Sequence, residues 1–266
     1  LPVDDPSFVS GDGAFETIRI FRGVPFRFEA HVLRLMRSLE ALGLLPRPPA
    51  ELHEATKTLL RAVGVEDALL RMTVTAPDAR TGHGGHVILT LRPLPRVPER
   101  VVLHVAEDCR RVPGPLSRAK TLSRALEAKA LREARKVGAF DAVLLNPSGR
   151  LVETTARNLF LVTRGVLRTP SLEEGALPGI TREAVLELAK GEGLAAREEP
   201  IPREDLSTAD EAFLTGSGVG VLGVSRIGSA EFVPVPGAWT ARLAQAYRGL
   251  LAQETTRRAQ ELDQGG

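Results

Sequence analysis

The chain reads as a mixed α+β protein of two domains, and three observations lead there. Segments with apolar residues at every second position alternate with segments whose apolar residues recur at i, i+3, i+4 and i+7, so strand and helix signals interleave. A run of turn formers, Val112-Pro113-Gly114-Pro115-Leu116, interrupts both patterns. A length of 266 residues is enough for two modest cores. The expected division is a smaller N-terminal α/β domain over 1–112 and a larger C-terminal domain over 113–266.

Taken in order, Ala14–Phe21 alternates as a strand, with Ala14, Glu16, Ile18 and Ile20 on one face. Gly23 and Pro25 turn it into a hairpin with Pro25–Phe28. A helix follows over Glu29–Leu42, its stripe formed by Val32, Leu35, Met36, Leu39 and Leu42, with Gly43 as its stop. A second amphipathic helix covers 49–63. Strands are expected at Ala68–Ala76, Gly85–Arg92 and Val101–Ala106, the first two separated by the turn Pro77–Gly82. Beyond the break come a helix over Arg124–Val137 and strands at Asp141–Leu145, Leu151–Glu153, Asn158–Thr163 and Val166–Arg168. A helix from Ile180 to Lys190, a strand at Glu211–Thr215 and a terminal helix over Ala238–Glu261 complete the pattern.

Composition narrows the function classes. A net charge of +2 and 4% aromatic residues offer neither the basic surplus nor the stacking surface that nucleic-acid binding requires. No apolar run approaches the roughly 18–20 residues that span a bilayer, and Leu1–Ser10 carries acidic residues where a signal peptide carries basic ones. The expectation is a cytoplasmic enzyme with a small-molecule substrate. The single cysteine, Cys109, excludes an intrachain disulfide and reads as a buried or incidental thiol. His83 and His86 form the one close histidine pair, with no third ligand nearby, so no metal site is expected.

Lysine is rare here, at 57, 120, 129, 136 and 190. Four of these fall within or at the ends of amphipathic helices, where a solvated amine is ordinary. Lys120 instead follows the Pro/Gly-rich break and precedes a helix, and lysine, unlike arginine, can be tuned into a neutral nucleophile. Two turns suit an anion. Leu177-Pro178-Gly179-Ile180-Thr181 opens onto a helix whose first N–H groups are unspent, and Thr215-Gly216-Ser217-Gly218 follows a strand; taken alone, each is better explained as a plain helix start or a plain turn. Glu153 sits in an apolar strand, where a carboxylate demands a cation or donor. His31, Arg34 and Arg37 lie off the stripe of their helix and read as solvated positions.

Gly11-Asp12-Gly13-Ala14-Phe15-Glu16-Thr17-Ile18-Arg19, His31-Val32-Leu33-Arg34-Leu35, Lys120, Glu153 with Asn158-Leu159-Phe160, Leu177 to Arg182 and Thr215-Gly216-Ser217 occur in one definite order. Over Ser10–Ile227 this set resembles the fold-type IV pyridoxal 5'-phosphate (PLP) enzymes: branched-chain aminotransferases, D-amino-acid aminotransferases and 4-amino-4-deoxychorismate lyases. The resemblance implies a small α/β domain followed by a pseudo-barrel domain. It implies a homodimer with the active site near the interface. It makes Lys120 the Schiff-base lysine and proton carrier, and Glu153 the partner of the pyridine nitrogen. Arg34, Ile180, Thr181, Gly216 and Ser217 would hold the phosphate.

Within the family, the tyrosine that branched-chain aminotransferases carry five residues after the lysine is Ala125 here. Lys120-Thr121-Leu122-Ser123-Arg124 is similar to the corresponding segment of the lyases. The strand bearing Arg71 runs into Ala76-Pro77 rather than the Arg-Gly element of D-amino-acid aminotransferases. Arg71 and Arg157 are the candidate substrate-carboxylate ligands. The favoured expectation is therefore an aminodeoxychorismate lyase yielding 4-aminobenzoate and pyruvate for folate synthesis. The alternatives are an aminotransferase and a non-catalytic, PLP-free binding protein.

Overall fold

Alternation along Gly13–Phe21 turns Ala14, Glu16, Ile18 and Ile20 into the interior, and a computed structural model describing residues 3–77 and 85–264 builds its first unit on that strand. The compact units are not continuous in sequence. The first gathers the N-terminal stretch up to Pro95, Ala119–Arg124 and the chain from Leu250 onward; the second holds Arg96–Arg118 and Ala125–Gly249. The expected break at Val112-Pro113 therefore falls inside the second unit. The turn residues 78–82 and His83 lie outside the described residues.

In the first unit a one-turn helix α1 (Pro6–Val9) leads into β1 (Gly13–Phe21), β2 (Val24–Pro25), α2 (Phe28–Ala41), α3 (Pro49–Val63), β3 (Ala68–Thr75) and β4 (Val87–Arg92). The sheet order is β2-β1-β3-β4, and every pairing is antiparallel. Ile18, Ile20, Leu70 and Met72 from the sheet meet Leu35, Leu39 and Leu52 from the two helices, all fully buried. Each such side chain contributes about 1.5–3 kcal/mol by leaving water. Gly64, at φ +64°, ends α3 in the left-handed conformation that glycine adopts without a Cβ penalty.

The sequence reading of His31 and Arg34 as solvated is corrected here: both are buried, while Arg37 is exposed. The reason is Glu16, the one charged residue on the inner face of β1. Its carboxylate accepts Arg34 Nε at 2.8 Å and Nη2 at 2.7 Å, and His31 Nδ1 lies 2.8 Å away. Burial pushes the Glu16 carboxyl up, but the Arg34 guanidinium, followed by His31, overcomes this and holds it far below the usual carboxylate range. Burial likewise pushes the His31 imidazole down, toward its neutral form, against the pull of Glu16.

The second unit runs through β5 (Val102–Arg110), α4 (Ala125–Lys136), β6 (Asp141–Leu145), β7 (Leu151–Thr154), β8 (Asn158–Thr163), β9 (Val166–Pro170), α5 (Ile180–Gly191), β10 (Ala195–Glu199), β11 (Glu211–Gly216), β12 (Gly220–Val224), β13 (Arg226–Ile227), β14 (Ala230–Glu231) and the first part of α6 (Ala238–Gln264). The main path of its ten-stranded sheet is β10-β9-β8-β7-β6-β5-β13-β14, with β11 branching from β8 and pairing β12. Parallel and antiparallel pairings are mixed, since β5 pairs β6, β9 pairs β10 and β5 pairs β13 in parallel. The protein is thus mixed α/β, as expected.

The sequence reading missed β10, β12, β13 and β14, and for three of them the reason is local. β10 (AAREE) is a sheet edge with mostly exposed side chains, so it carries no apolar alternation, while β13 and β14 are two residues each. Cys109 is buried. Among the described residues no helix is long and apolar enough to cross a membrane.

Replacing Glu16 by Gln leaves Arg34 buried without its counter-charge. Denaturant unfolding should show a loss of about 3–5 kcal/mol. Because the folded-state pKa of Glu16 is depressed, its contribution is present above about pH 4.3 and is lost as pH falls from there toward the folded value. The stability of E16Q should accordingly fall less steeply with acid than that of the parent chain.

Candidate active site

Lys120 is held by β1. Ala14 and Thr121 form an antiparallel bridge, the Phe15 N–H donates to the Lys120 carbonyl at 2.9 Å, and the Leu122 N–H donates to the Gly13 carbonyl at 2.9 Å. Gly13 is required there: at φ +140° a Cβ would stand 2.4 Å from the Val74 carbonyl oxygen and 2.8 Å from Leu122. The Lys120 N–H takes a different partner, Ser38 Oγ on α2, at 3.0 Å.

Phe15 collects cations. Lys120 Nζ lies 4.7 Å from the ring centroid, the Arg71 guanidinium 3.8 Å and the Arg124 guanidinium 5.8 Å. Arg71 stands on β3, two registers from Arg92 on β4, and the charged groups acting on it are Arg92 and Arg124. Burial first, and those two cations second, push the Arg71 guanidinium below its ordinary value. Neither Arg71 nor Arg92 has a carboxylate partner among the described residues. Arg34, the expected phosphate ligand, is fixed in one orientation by Glu16.

In the second unit the strand register aligns a row across β7, β8 and β11, with Glu153 opposite Asn158 and Asn158 opposite Thr215. Glu153 Oε2 accepts Asn158 Nδ2 at 3.0 Å and the Leu177 N–H at 3.1 Å, and Arg111 Nη2 lies 3.3 Å from Oε1. A guanidinium and two donors answer the burial of this carboxylate. Asn158 in turn shapes the next segment. A Cβ at Gly179 would sit 2.0 Å from Asn158 Oδ1, so only glycine lets the chain pass into α5.

Gly179 caps α5 with no side-chain hydrogen bond, and Ile180 and Thr181 of the first turn are buried. Such a helix start offers backbone donors and a positive dipole end to an anion. At the end of the row, Thr215 Oγ1 is buried with no hydrogen-bond partner among the described residues. Gly216 pairs Gly220 at the head of the β11–β12 hairpin, and Ser217 lies in its loop. A buried hydroxyl awaiting a partner, beside a hydroxyl-bearing loop, and an uncapped buried helix start are donors that fit a phosphate.

The structure therefore groups Lys120 with Arg71, and Glu153 with Thr215-Gly216-Ser217 and the Gly179–Thr181 turn. Arg157 is engaged elsewhere: its Nη1 donates to Asp141 at 2.8 Å and its guanidinium lies 4.8 Å from the Phe140 ring centroid. Carboxylate recognition by Arg157 would mean breaking that ion pair. Asp141 also accepts from the hydroxyls of Thr154 and Thr155 and the N–H of Thr155, which fixes the turn after Glu153.

Sequence reasoning missed Arg111, Asp141, Ser38 and Arg92, and named Arg124 only as part of the segment after Lys120. Glu16 carried a signal, since it breaks an otherwise apolar strand face. Asp141, heading the apolar strand DAVLL, carried the same one.

Residues 13–227 match the family described as amino-transferase class IV. The chain is 30% identical to the branched-chain-amino-acid aminotransferase of Escherichia coli, across 96% of this chain and 89% of that protein. Among solved structures it is similar to the branched-chain aminotransferase of Thermoproteus uzoniensis (TM-score 0.86, 32% identity, covering 94% of this chain and 89% of that one). It is similar also to the 4-amino-4-deoxychorismate lyase of Pseudomonas aeruginosa (TM-score 0.82, 29% identity, covering 94% of each chain). The family match covers most of the sequence. The chain belongs to the amino-transferase class IV family, the fold-type IV enzymes that use pyridoxal phosphate.

Proposed function

We propose that the protein is a 4-amino-4-deoxychorismate lyase, releasing 4-aminobenzoate and pyruvate. The observation that carries this reading is the group of arginines at Phe15. Arg71 and Arg124 stand beside Lys120 on a single aromatic ring, Arg92 adds a further positive charge near Arg71, and the half-buried Arg71 has no carboxylate partner among the described residues. An aliphatic side chain gains nothing from such surroundings, whereas a substrate with two carboxylates does. Ala125, exposed at the start of α4, offers no hydroxyl of the kind the branched-chain enzymes place there.

Bound PLP supplies an electron sink for the negative charge that develops beside the substrate nitrogen. Lys120 would hold the cofactor covalently through Nζ until the substrate amine takes its place, and the freed Nζ would then take the proton from the ring carbon bearing the substrate nitrogen. Glu153, held in place by Arg111, Asn158 and the Leu177 N–H, would pair with the pyridine nitrogen. The Ile180 and Thr181 amides, Gly216 and Ser217 would offer donors to the phosphate, and the family resemblance assigns Arg34 the same role. Arg71 and its cationic neighbours orient the substrate carboxylates, and departure of enolpyruvate as the ring becomes aromatic drives the reaction. No amino acceptor is needed.

A second reading, an aminotransferase, draws on the names of the relatives, since the Escherichia coli and Thermoproteus uzoniensis proteins are branched-chain aminotransferases. Glutamate too has two carboxylates, so only products separate the readings. Incubation of the PLP-loaded protein with aminodeoxychorismate should yield 4-aminobenzoate and pyruvate in equal amounts, and glutamate, leucine or alanine should not convert the cofactor to its pyridoxamine form. Conversion by any donor, without 4-aminobenzoate, would establish the aminotransferase.

Arg71→Gln should lower kcat/KM for the dicarboxylate substrate by about 10- to 100-fold, the equivalent of one charge-assisted hydrogen bond. Gly179→Ala, by displacing Asn158, should weaken PLP binding at least about tenfold, measured by equilibrium titration.

A further inference from the structure

We propose that Ser38 is a positioning residue for Lys120, acting through the lysine's backbone. The inference rests on the assignment of Lys120 as the cofactor-bearing lysine. Ser38 is fully buried in the third turn of α2, although serine is a mediocre helix former and a buried hydroxyl must find partners. It has two. Its Oγ donates to the Arg34 carbonyl one turn back, at 2.9 Å, and accepts the Lys120 N–H at 3.0 Å from 82 positions away in sequence. The first bond only competes with the helix ladder. The second serves Lys120.

The bridge to β1 binds the Lys120 carbonyl and the Leu122 N–H, and leaves the Lys120 N–H to Ser38. The peptide planes on both sides of the lysine Cα are therefore fixed, one by Phe15 and one by Ser38. Together they set where the side chain begins. A long side chain with four rotatable bonds must return its Nζ to the same place in each turnover, and the backbone is the part of it that the fold can hold still. The Ser38–Arg34 bond carries the coupling further. The turn of α2 that holds Lys120 is the one whose Arg34 guanidinium is clamped by Glu16. Cofactor lysine and phosphate arginine are thus registered against one another through a single helical turn.

Ser38→Ala removes one oxygen and tests the bond, and Ser38→Thr, which keeps a hydroxyl, tests rescue. The chain has only five lysines, so a spectrum of the PLP-loaded protein labelled with 15N-lysine resolves the Lys120 amide directly. In S38A that amide should exchange with solvent about tenfold faster while the other lysine amides and the melting temperature change little. The pH midpoint of the bound-cofactor absorbance band should shift, and kcat should fall about tenfold at nearly constant KM. S38T should restore all three. Unchanged amide exchange and an unchanged midpoint in S38A would overturn the proposal. Lys120→Ala separates the two levels: a band that survives in K120A removes the Lys120 assignment itself, and the role of Ser38 with it.

Discussion

The buried carboxylate of Glu16 is the constraint on which the first unit depends. A charge on the inner face of a strand is tolerated only when it is answered, and here the answer comes from Arg34 and His31 on α2. One ion pair therefore sets the rotation of the helix against the sheet. The hydrophobic contacts of Leu35 and Leu39 supply much of the burial, but they would accept small rotations. A bidentate guanidinium–carboxylate pair would not. With α2 so fixed, Ser38 meets the Lys120 backbone, and the segment Lys120–Leu122 closes onto β1.

The second unit solves a comparable problem with a different device. Glu153 is fixed by strand register, which places Asn158 and then Thr215 in line with it. Arg111 brings a positive charge from the segment after β5 and also bonds the Gly175 and Ser117 carbonyls and Glu127. A slip of one residue in β8 would turn Asn158 to the opposite face and undo the row. The Asn158–Gly179 contact ties that register to the start of α5, so Glu153 and the helix start at Gly179 are positioned by one asparagine.

Much of this was legible in the sequence. The helix over 49–63 and the strands at Asp141–Leu145 and Asn158–Thr163 emerge with the expected bounds, because their patterns are strong and local. The ordered motifs around Lys120, Glu153, Gly179 and Ser217 pointed to the cofactor. What was not legible depends on contacts distant in sequence. Arg34 read as solvated because helical periodicity says nothing about a carboxylate 18 positions upstream. Nothing local to Arg157 shows that Asp141, 16 positions upstream, engages its guanidinium. The cationic setting of Phe15 draws on β3, β4 and the segment after Lys120, which no single window contains.

The proposed chemistry requires the cofactor to be bound to Lys120. Reduction of the PLP-loaded protein with borohydride, followed by proteolysis and mass spectrometry, tests it most directly. A phosphopyridoxyl group should appear on the peptide containing Lys120 and on no other lysine. The same group on Lys57, Lys129, Lys136 or Lys190, or no attachment at all, would contradict it.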